Sequence, residues 1–463
     1  MASILPVAMP PLSSSIPDRT NSSQSSQLRQ VLNPYDSLHH YLHKATDGNL
    51  PGKPDFITAM KACTSISNIP LGRTIHAHIT KSGLGTDKFV ATSIISFYSV
   101  CGLLISARQL FDGIPYKDVV LRTSMLVGYA ENGNITDARK LFDDFPDRDL
   151  VAWNAMLSCY LRCGFPEETL ALFQEMQIGK VSPNEVTLII ALSACSQIGC
   201  LALGEWIHAF IHKFFRTHIS TKLINAMVHM YAKCGRIDIA LEIFISQENK
   251  NLESWNTLLT GFAVHGFAES SFSLFSQMIR NGVLPDRITL LALLISCNHA
   301  GMVIDAIRCF MLFTEVYGVR SGTEHYGCLV DALCRNGHLE EASMLIEAMP
   351  FESNACVWGA LLRGCMTYQN HELGLEAAKR LLELEPCEEG RYIALSNLIS
   401  MIGEVEDVMR IRKMMIDLGI RQLSGMSSIE AGGEVHKFLS GDRSHIQSMD
   451  IYATIASIHS NMG

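Results

Sequence analysis

The sequence predicts an all-α chain, an α-solenoid of stacked helix-turn-helix units, on three observations. Glycines recur at Gly102, Gly133, Gly164, Gly199, Gly235, Gly266, Gly301 and Gly337, spaced 31, 31, 35, 36, 31, 35 and 36 residues apart. Five residues beyond each stands a mostly small residue (Ala107, Ala138, Thr169, Gly204, Ala240, Ser271, Ala306, Ala342). Four residues further stands a large one, Phe in six of eight copies (Phe111, Phe142, Phe173, Phe244, Phe275, Phe310). Third, the 463 residues are 48% apolar and only 18% charged, against roughly 25% charged in ordinary soluble domains. One hydrophobic core rarely serves such a length, whereas a repeat array does.

Each element follows from these columns. The first 30 residues hold eight Ser, four Pro, one acid (Asp18) and two Arg (Arg19, Arg29), with no apolar stretch of the secretory kind. That is transit-peptide composition, so residues 1–45 are expected to be an organelle leader or disordered. The low Arg content favours the chloroplast over the mitochondrion. The first helix of each unit carries an apolar stripe, as in AWNAMLSCY and INAMVHMYA. The glycine marks the turn, and the drift of about four residues in spacing is one helical turn. In the second helix the small residue and the aromatic, at i and i+4, share one face: the first admits a neighbouring helix and the second fills the space beside it. A single hairpin cannot bury both faces, so neighbours stack.

Two polar columns are harder to explain by helix formation alone. Ten residues before each turn glycine stand Thr92, Thr123, Asn154, Ile189, Asn225, Asn256, Leu291 and Gly327. Thr and Asn inside a helix compete for backbone groups. A solvated helix face is the plain account. The second column, Asp118, Asp149, Asn184, Ser220, Asn251, Asp286, Gly322 and Asn354, suits helix N-caps. Together the columns would meet once per unit along one groove, an interval suited to reading single-stranded bases one at a time. Apolar residues just before the first column, including Leu188 and Ile224, are expected to sandwich a base.

Composition narrows the chemistry. Lys+Arg number 37 against 46 Asp+Glu, a net charge of -9, which argues against a protein held on nucleic acid mainly through phosphates. The 14 cysteines include no C-x-x-C and are read as reduced, small packing residues. Cys159 and Cys163 share a helix face but lack a His or acid partner at metal-ligand spacing. The uncharged stretches 90–107 and 186–204 contain repeat turns, so no membrane span is expected.

The residues resemble the pentatricopeptide repeat (PPR) proteins of plants, in the class that alternates units of 31, 35 and 36 residues. The phrases that carry this are VAWNAML (151–157), NAMVHMYAKCG (225–235), ESWNTLLTGFAVHG (253–266) and EHYGCLVDALCRNGHLEEA (324–342). The resemblance implies a right-handed superhelix with nine units over 53–354, two extension (E) motifs over 355–422 and a partial further extension (E+) segment over 423–463. CVWGALLRGC (356–365), LLELEP (381–386) and YIALSNLISMIGEVEDVMRIRKMM (392–415) are similar to the extension motifs. The stretch 432–455 is similar to the segment after them.

The resemblance further implies single-stranded organellar RNA as partner and, most often, recognition of a cytidine for C-to-U editing. By the family's base code, Thr92/Asp118 and Thr123/Asp149 each read G. Asn256/Asp286 reads U, and Asn154/Asn184 and Asn225/Asn251 read C or U. Units with Ile57, Ile189 and Leu291 lack a polar reader, and Gly327/Asn354 falls outside the readable pairs as a weak reader. The expected core is 5′-GG(C/U)N(C/U)U-3′. Asn offers a donor and an acceptor to a pyrimidine, while an Asp carboxylate suits the paired donors of guanine.

A catalytic reading has little to stand on. His338-Leu339-Glu340 spells the H-x-E of zinc deaminases, but no P-C-x-x-C follows, and the chain stops at Gly463. A non-enzymatic factor without a cofactor is expected, with a DYW-type deaminase and other editing proteins supplied in trans. Where the family usually has Pro-Gly-Cys-Ser-Trp, residues 424–428 read Ser-Gly-Met-Ser-Ser, which weakens the editing role relative to RNA stabilisation, processing or splicing. A tetratricopeptide-type scaffold, suggested by Ala138, Phe142 and Pro146, would need a uniform 34-residue period.

Overall fold

The computed structural model describes residues 33–46, 51–145, 148–215, 219–386, 389–402, 409, 411, 413, 426–431, 434–439 and 447–462. It divides into two units, residues 1–121 and 122–463, and the division falls inside a helix, α6 (Val119–Glu131). The first 32 residues of the expected leader, and Ser424 and Gly425, lie outside the described residues.

The first unit holds α1 (Pro34–Thr46), α2 (Lys53–Ile66), α3 (Ile69–Lys81), α4 (Lys88–Val100) and α5 (Leu104–Gly113). Helix α1 corrects the sequence reading, which placed residues up to 45 in a leader or disordered segment. It buries Leu38 and Tyr41. The Tyr41 hydroxyl lies 2.8 Å from His78 Nδ1, its ring centroid is 5.9 Å from that of Phe56, and Lys44 donates to Asp55 at 2.9 Å. This helix covers the apolar face that α2 and α3 would otherwise expose.

In the second unit the first helices of successive hairpins are α8 (Leu150–Arg162), α10 (Glu185–Ile198), α12 (Thr221–Lys233), α14 (Leu252–Val264), α16 (Arg287–Ala300), α18 (Thr323–Arg335) and α20 (Ala355–Tyr368). Each packs on the next, and the second helices α7 (Ile135–Asp143), α9 (Pro166–Ile178), α11 (Leu201–Phe214), α13 (Ile237–Ser246), α15 (Ala268–Arg280), α17 (Val303–Met311) and α19 (Leu339–Glu347) pack between them. All eight ladder glycines have positive φ, from 68° to 84°. That is the left-handed conformation that ends a helix, and side chains with a Cβ adopt it at a cost.

The small column is buried throughout, and Phe111, Phe142, Phe173 and Phe244 are at most 3% exposed. Trp153, Trp255 and Tyr326, each directly before a first-column residue, meet the aromatic of the preceding hairpin edge-on. Phe142/Trp153, Phe244/Trp255 and Phe310/Tyr326 all have centroids 5.0 Å apart. Edge-to-face pairs of this kind add to burial. Beyond α21 (His371–Leu384) and α22 (Glu389–Ile402), the all-α pattern gives way to one antiparallel hairpin, β1 (Met426–Ala431) with β2 (Glu434–Leu439). It pairs Met426 with Leu439 and Ala431 with Glu434, and α23 (Ser448–Met462) follows it.

Candidate nucleic-acid interface

The closing column is, first, a set of helix caps. Asp118 accepts from Leu121 N (2.9 Å), Asp149 from Ala152 N (2.8 Å), Asn184 from Thr187 N (3.0 Å) and Asn251 from Ser254 N (2.9 Å). Asp286 accepts from Thr289 N (3.0 Å) and Asn354 from Val357 N (3.2 Å). Capping of this kind typically contributes about 1 kcal/mol, and each capping residue closes, in the chain, the hairpin of the preceding first helix.

That preceding helix presents the first column, and in three units the two columns touch. The Thr123 hydroxyl donates to Asp149 Oδ1 at 3.3 Å. Asn154 Nδ2 donates to Asn184 Oδ1 at 3.2 Å, and Asn256 Nδ2 to Asp286 Oδ1 at 2.9 Å. The remaining units differ. Thr92 donates to its own helix at Lys88 O (2.7 Å), and Asp118 faces Lys88 Nζ at 3.8 Å. Asn225 and Asn251 are not bonded to each other, and both amide atoms of Asn225 are buried without a partner. Gly327 has no side chain to offer. Ser220, closing the silent Ile189 unit, caps Leu223 and donates to Glu185.

Burial departs from the picture of a solvated face. Thr123, Asn225 and Asn256 are 6%, 4% and 5% exposed, because they stand where successive first helices meet. Leu188 is wholly buried, so the expectation that it sandwiches a base is corrected: no face of its side chain is open to a ligand. Ile224 is half-buried.

The apolar residues that do face outward stand three before the first column. Phe89, Val120, Val151, Val186 and Ile288 are 50% to 57% exposed, while Lys222, Glu253 and Glu324 occupy the same place in other units. A half-exposed apolar side chain beside a polar edge reader offers a face for stacking and an edge for pairing, the two surfaces a planar base requires. At Phe89 the ring is already occupied, with Lys53 Nζ 4.4 Å from its centroid. Periodicity carried this column in plain sight, but its exposure is invisible without the helix orientation.

The candidates for metal or thiol chemistry are packed away. Burial, and then Cys163, push the Cys159 thiol up to about 11, and none of the 13 described cysteines forms a disulfide. His338 precedes α19 and lies 3.5 Å from Glu341. Among the described residues no three His, Cys, Asp or Glu side chains gather as a metal site, and no helix is long and apolar enough to cross a membrane.

Comparison with known proteins places this geometry. PPR repeat profiles match residues 120–150, 224–246, 253–283 and 324–352, a PPR repeat family profile matches 148–197, and an E motif profile matches 368–430. The chloroplastic pentatricopeptide repeat-containing protein ELI1 of Arabidopsis thaliana is 42% identical over 410 residues, covering 88% of this chain and 64% of ELI1. A mitochondrial pentatricopeptide repeat-containing protein of the same plant is 40% identical over 416 residues, 90% of this chain and 61% of the relative. The chain thus spans less than two-thirds of either. A third Arabidopsis thaliana pentatricopeptide repeat-containing protein, 42% identical over 397 residues, is covered over 74% of its length against 85% of this chain. Among solved structures, the crystal structure of the pentatricopeptide repeat protein PPR10 in complex with an 18-nt psaJ RNA element shares the fold with a TM-score of 0.67. It is 17% identical, over 84% of this chain and 59% of that one. Repeat profiles, E motif, fold and long alignments agree, and the chain belongs to the pentatricopeptide repeat family.

Proposed function

We propose that the protein binds single-stranded RNA in a plant organelle, one base per unit, and serves as the site-recognition factor for C-to-U editing with the deaminase supplied in trans. The observation that carries the reading is the contact between the two polar columns at Thr123/Asp149, Asn154/Asn184 and Asn256/Asp286. Each contact leaves donors and acceptors over for a base edge. The neighbour PPR10 is solved with RNA, and relatives are named chloroplastic or mitochondrial. The preferred RNA carries 5′-GG(C/U)N(C/U)U-3′, with Thr92/Asp118 at the first base and Asn256/Asp286 at the sixth.

A gel shift with the purified chain tests binding: RNA containing the core is retained and a scrambled RNA is not, and equal failure of both removes the RNA reading. Editing is tested by sequencing organellar transcripts from a loss-of-function line, in which one or a few cytidines stay unedited. A fully edited transcriptome with a missing or misprocessed RNA supports instead a stabilising, processing or splicing factor. That second reading draws on residues 424–428, whose Met426 to Ser428 are paired into β1 and lack the Cys and Trp usual there. A tetratricopeptide-type scaffold is disfavoured by the 31, 35 and 36 residue ladder.

A further inference from the structure

The three Asn readers share one residue type and one place in the helix, yet their hydrogen bonding differs. Around Asn154 four groups close a ring. Asn184 N donates to Thr187 Oγ1 (3.2 Å), the Thr187 hydroxyl donates to Asn154 Oδ1 (2.7 Å), Asn154 Nδ2 donates to Asn184 Oδ1 (3.2 Å), and Thr187 N donates to that same oxygen (3.0 Å). The ring recurs at Asn256. Asp286 N donates to Thr289 Oγ1 (3.1 Å), Thr289 Oγ1 to Asn256 Oδ1 (2.7 Å), Asn256 Nδ2 to Asp286 Oδ1 (2.9 Å), and Thr289 N to Asp286 Oδ1 (3.0 Å). An ionised carboxylate only accepts. Asp286 therefore takes the amide N–H, which leaves the amide oxygen for the threonine hydroxyl and gives the ring one sense. Thr187 and Thr289 are both wholly buried, so no water competes for their hydroxyls; the cap oxygens Asn184 Oδ1 (2.8 Å) and Asp286 Oδ1 (3.0 Å) are also within reach, but the amide oxygen is the nearer acceptor in each ring, at 2.7 Å.

Asn225 lacks the ring. The residue three beyond its cap is Ser254, whose hydroxyl is turned to Asn251 Oδ1 (2.9 Å) and takes Gln247 Nε2 (3.1 Å). Neither amide atom of Asn225 has a partner. Its two amide orientations differ by no hydrogen bond within the protein, so either edge can be offered to a base.

We propose that Thr187 and Thr289 are positioning residues that set base specificity: their hydroxyls lock the Asn154 and Asn256 amides in one orientation, while the unlocked Asn225 discriminates poorly. The inference rests on the RNA-binding reading and adds a third residue, contributed by the next unit, to the two columns. By pair identity Asn154/Asn184 and Asn225/Asn251 are the same reader. The lock makes them different.

The test measures binding of the full chain to RNAs carrying each of the four bases at the third, fifth or sixth position of the core. In the unaltered protein, pyrimidines are favoured over purines about tenfold at the third position, the ratio of one well-made polar base contact, and by less than about threefold at the fifth. Thr289→Val, which keeps shape and removes the hydroxyl, flattens the sixth position alone, and Thr289→Ser restores it. Thr187→Val does the same at the third. Equal discrimination at the third and fifth positions overturns the proposal even if the valine variants fail to fold. So does a Thr289→Val protein that keeps its preference, or one that loses affinity evenly at every position. Absence of binding by the unaltered protein to any core RNA overturns the RNA-binding reading itself, an outcome distinct from a flat profile in a protein that binds.

Discussion

At the scale of single residues, the same side chains that would read bases are also structural, and the two roles separate by measurement. Asn225 is the clearest case. A buried amide with no partner costs on the order of 1 to 3 kcal/mol in desolvation, so Asn225→Leu, close in shape, is expected to stabilise the protein by about 1 kcal/mol while removing any pyrimidine preference at the fifth base. Thermal melting beside base-resolved binding checks both halves, and a destabilised variant would show that Asn225 has partners the fold depends on. Asn256→Thr moves preference at the sixth base from U toward G, because a hydroxyl beside Asp286 recreates the Thr123/Asp149 arrangement. A uniform loss of affinity there would make Asn256 purely structural. The polar columns were legible in the sequence because Thr and Asn are poor helix formers and stand out. Their burial was not, since it depends on how closely successive first helices approach. The threonines of the ring were missed for the same reason: locally Thr187 and Thr289 are the capping-box partners of Asn184 and Asp286, and their bond to the preceding first helix depends on how the helices pack.

At the scale of the hairpin, the aromatic column has an informative exception. Where the small residue is Gly72 or Gly204, the residue four further on is His76 or His208 rather than Phe. Each His bonds a tyrosine of the following first helix, His76 Nδ1 to Tyr98 and His208 Nδ1 to Tyr231, both at 2.8 Å. The glycines make the approach possible: a Cβ on Gly72 would overlap the tip of the Phe97 ring, 2.1 Å from Cζ, and one on Gly204 would overlap the end of Met230. A rigid buried ring cannot yield as a methionine tip can, so Gly72→Ala is expected to cost about 1 to 3 kcal/mol and Gly204→Ala less, as read from denaturant midpoints. Burial holds His76 below the ordinary imidazole range, and burial together with His212 does so for His208. The unfolded chain then takes up protons that the folded one refuses. Stability is accordingly full above the unfolded value of about 6.5 and declines as pH falls toward the folded values. Melting at pH 7.5 and 5.5 should show a drop that His76→Phe and His208→Phe, which restore the residue of the other units, make shallower. Equal drops would place the sensitivity elsewhere. The repeated hairpins were legible because a glycine at positive φ and a paired small and aromatic residue leave marks at fixed intervals. Among the described residues helix α1 and the β1/β2 hairpin occur once each, so no register revealed them.

At the scale of the whole molecule, the net charge of -9 and the disposition of its cations bear on how any RNA would be held. Many arginines are already engaged with acids of the chain: Arg148 with Glu175, Arg287 with Glu324, and Arg335 and Arg363 both with Asp331. A guanidinium satisfied by a carboxylate releases few counterions from a phosphate. The acids Asp118, Asp149 and Asp286 meanwhile stand in the closing column, where they would repel a backbone and suit only base donors. On the proposed RNA-binding reading, affinity is then expected to depend on base edges and stacking more than on phosphate neutralisation. For single strands the slope of log affinity against log salt is about -0.7 per phosphate neutralised, so about three phosphates give a slope near -2 and about a 20-fold loss between 50 and 200 mM salt. A scrambled RNA lacks the base contacts and keeps only the weak electrostatic part, so the ratio of core to scrambled affinity should hold nearly constant across that range. A slope steeper than about -5, or a ratio that collapses with salt, would mean that phosphates carry the binding and that the polar columns serve the packing of helices alone.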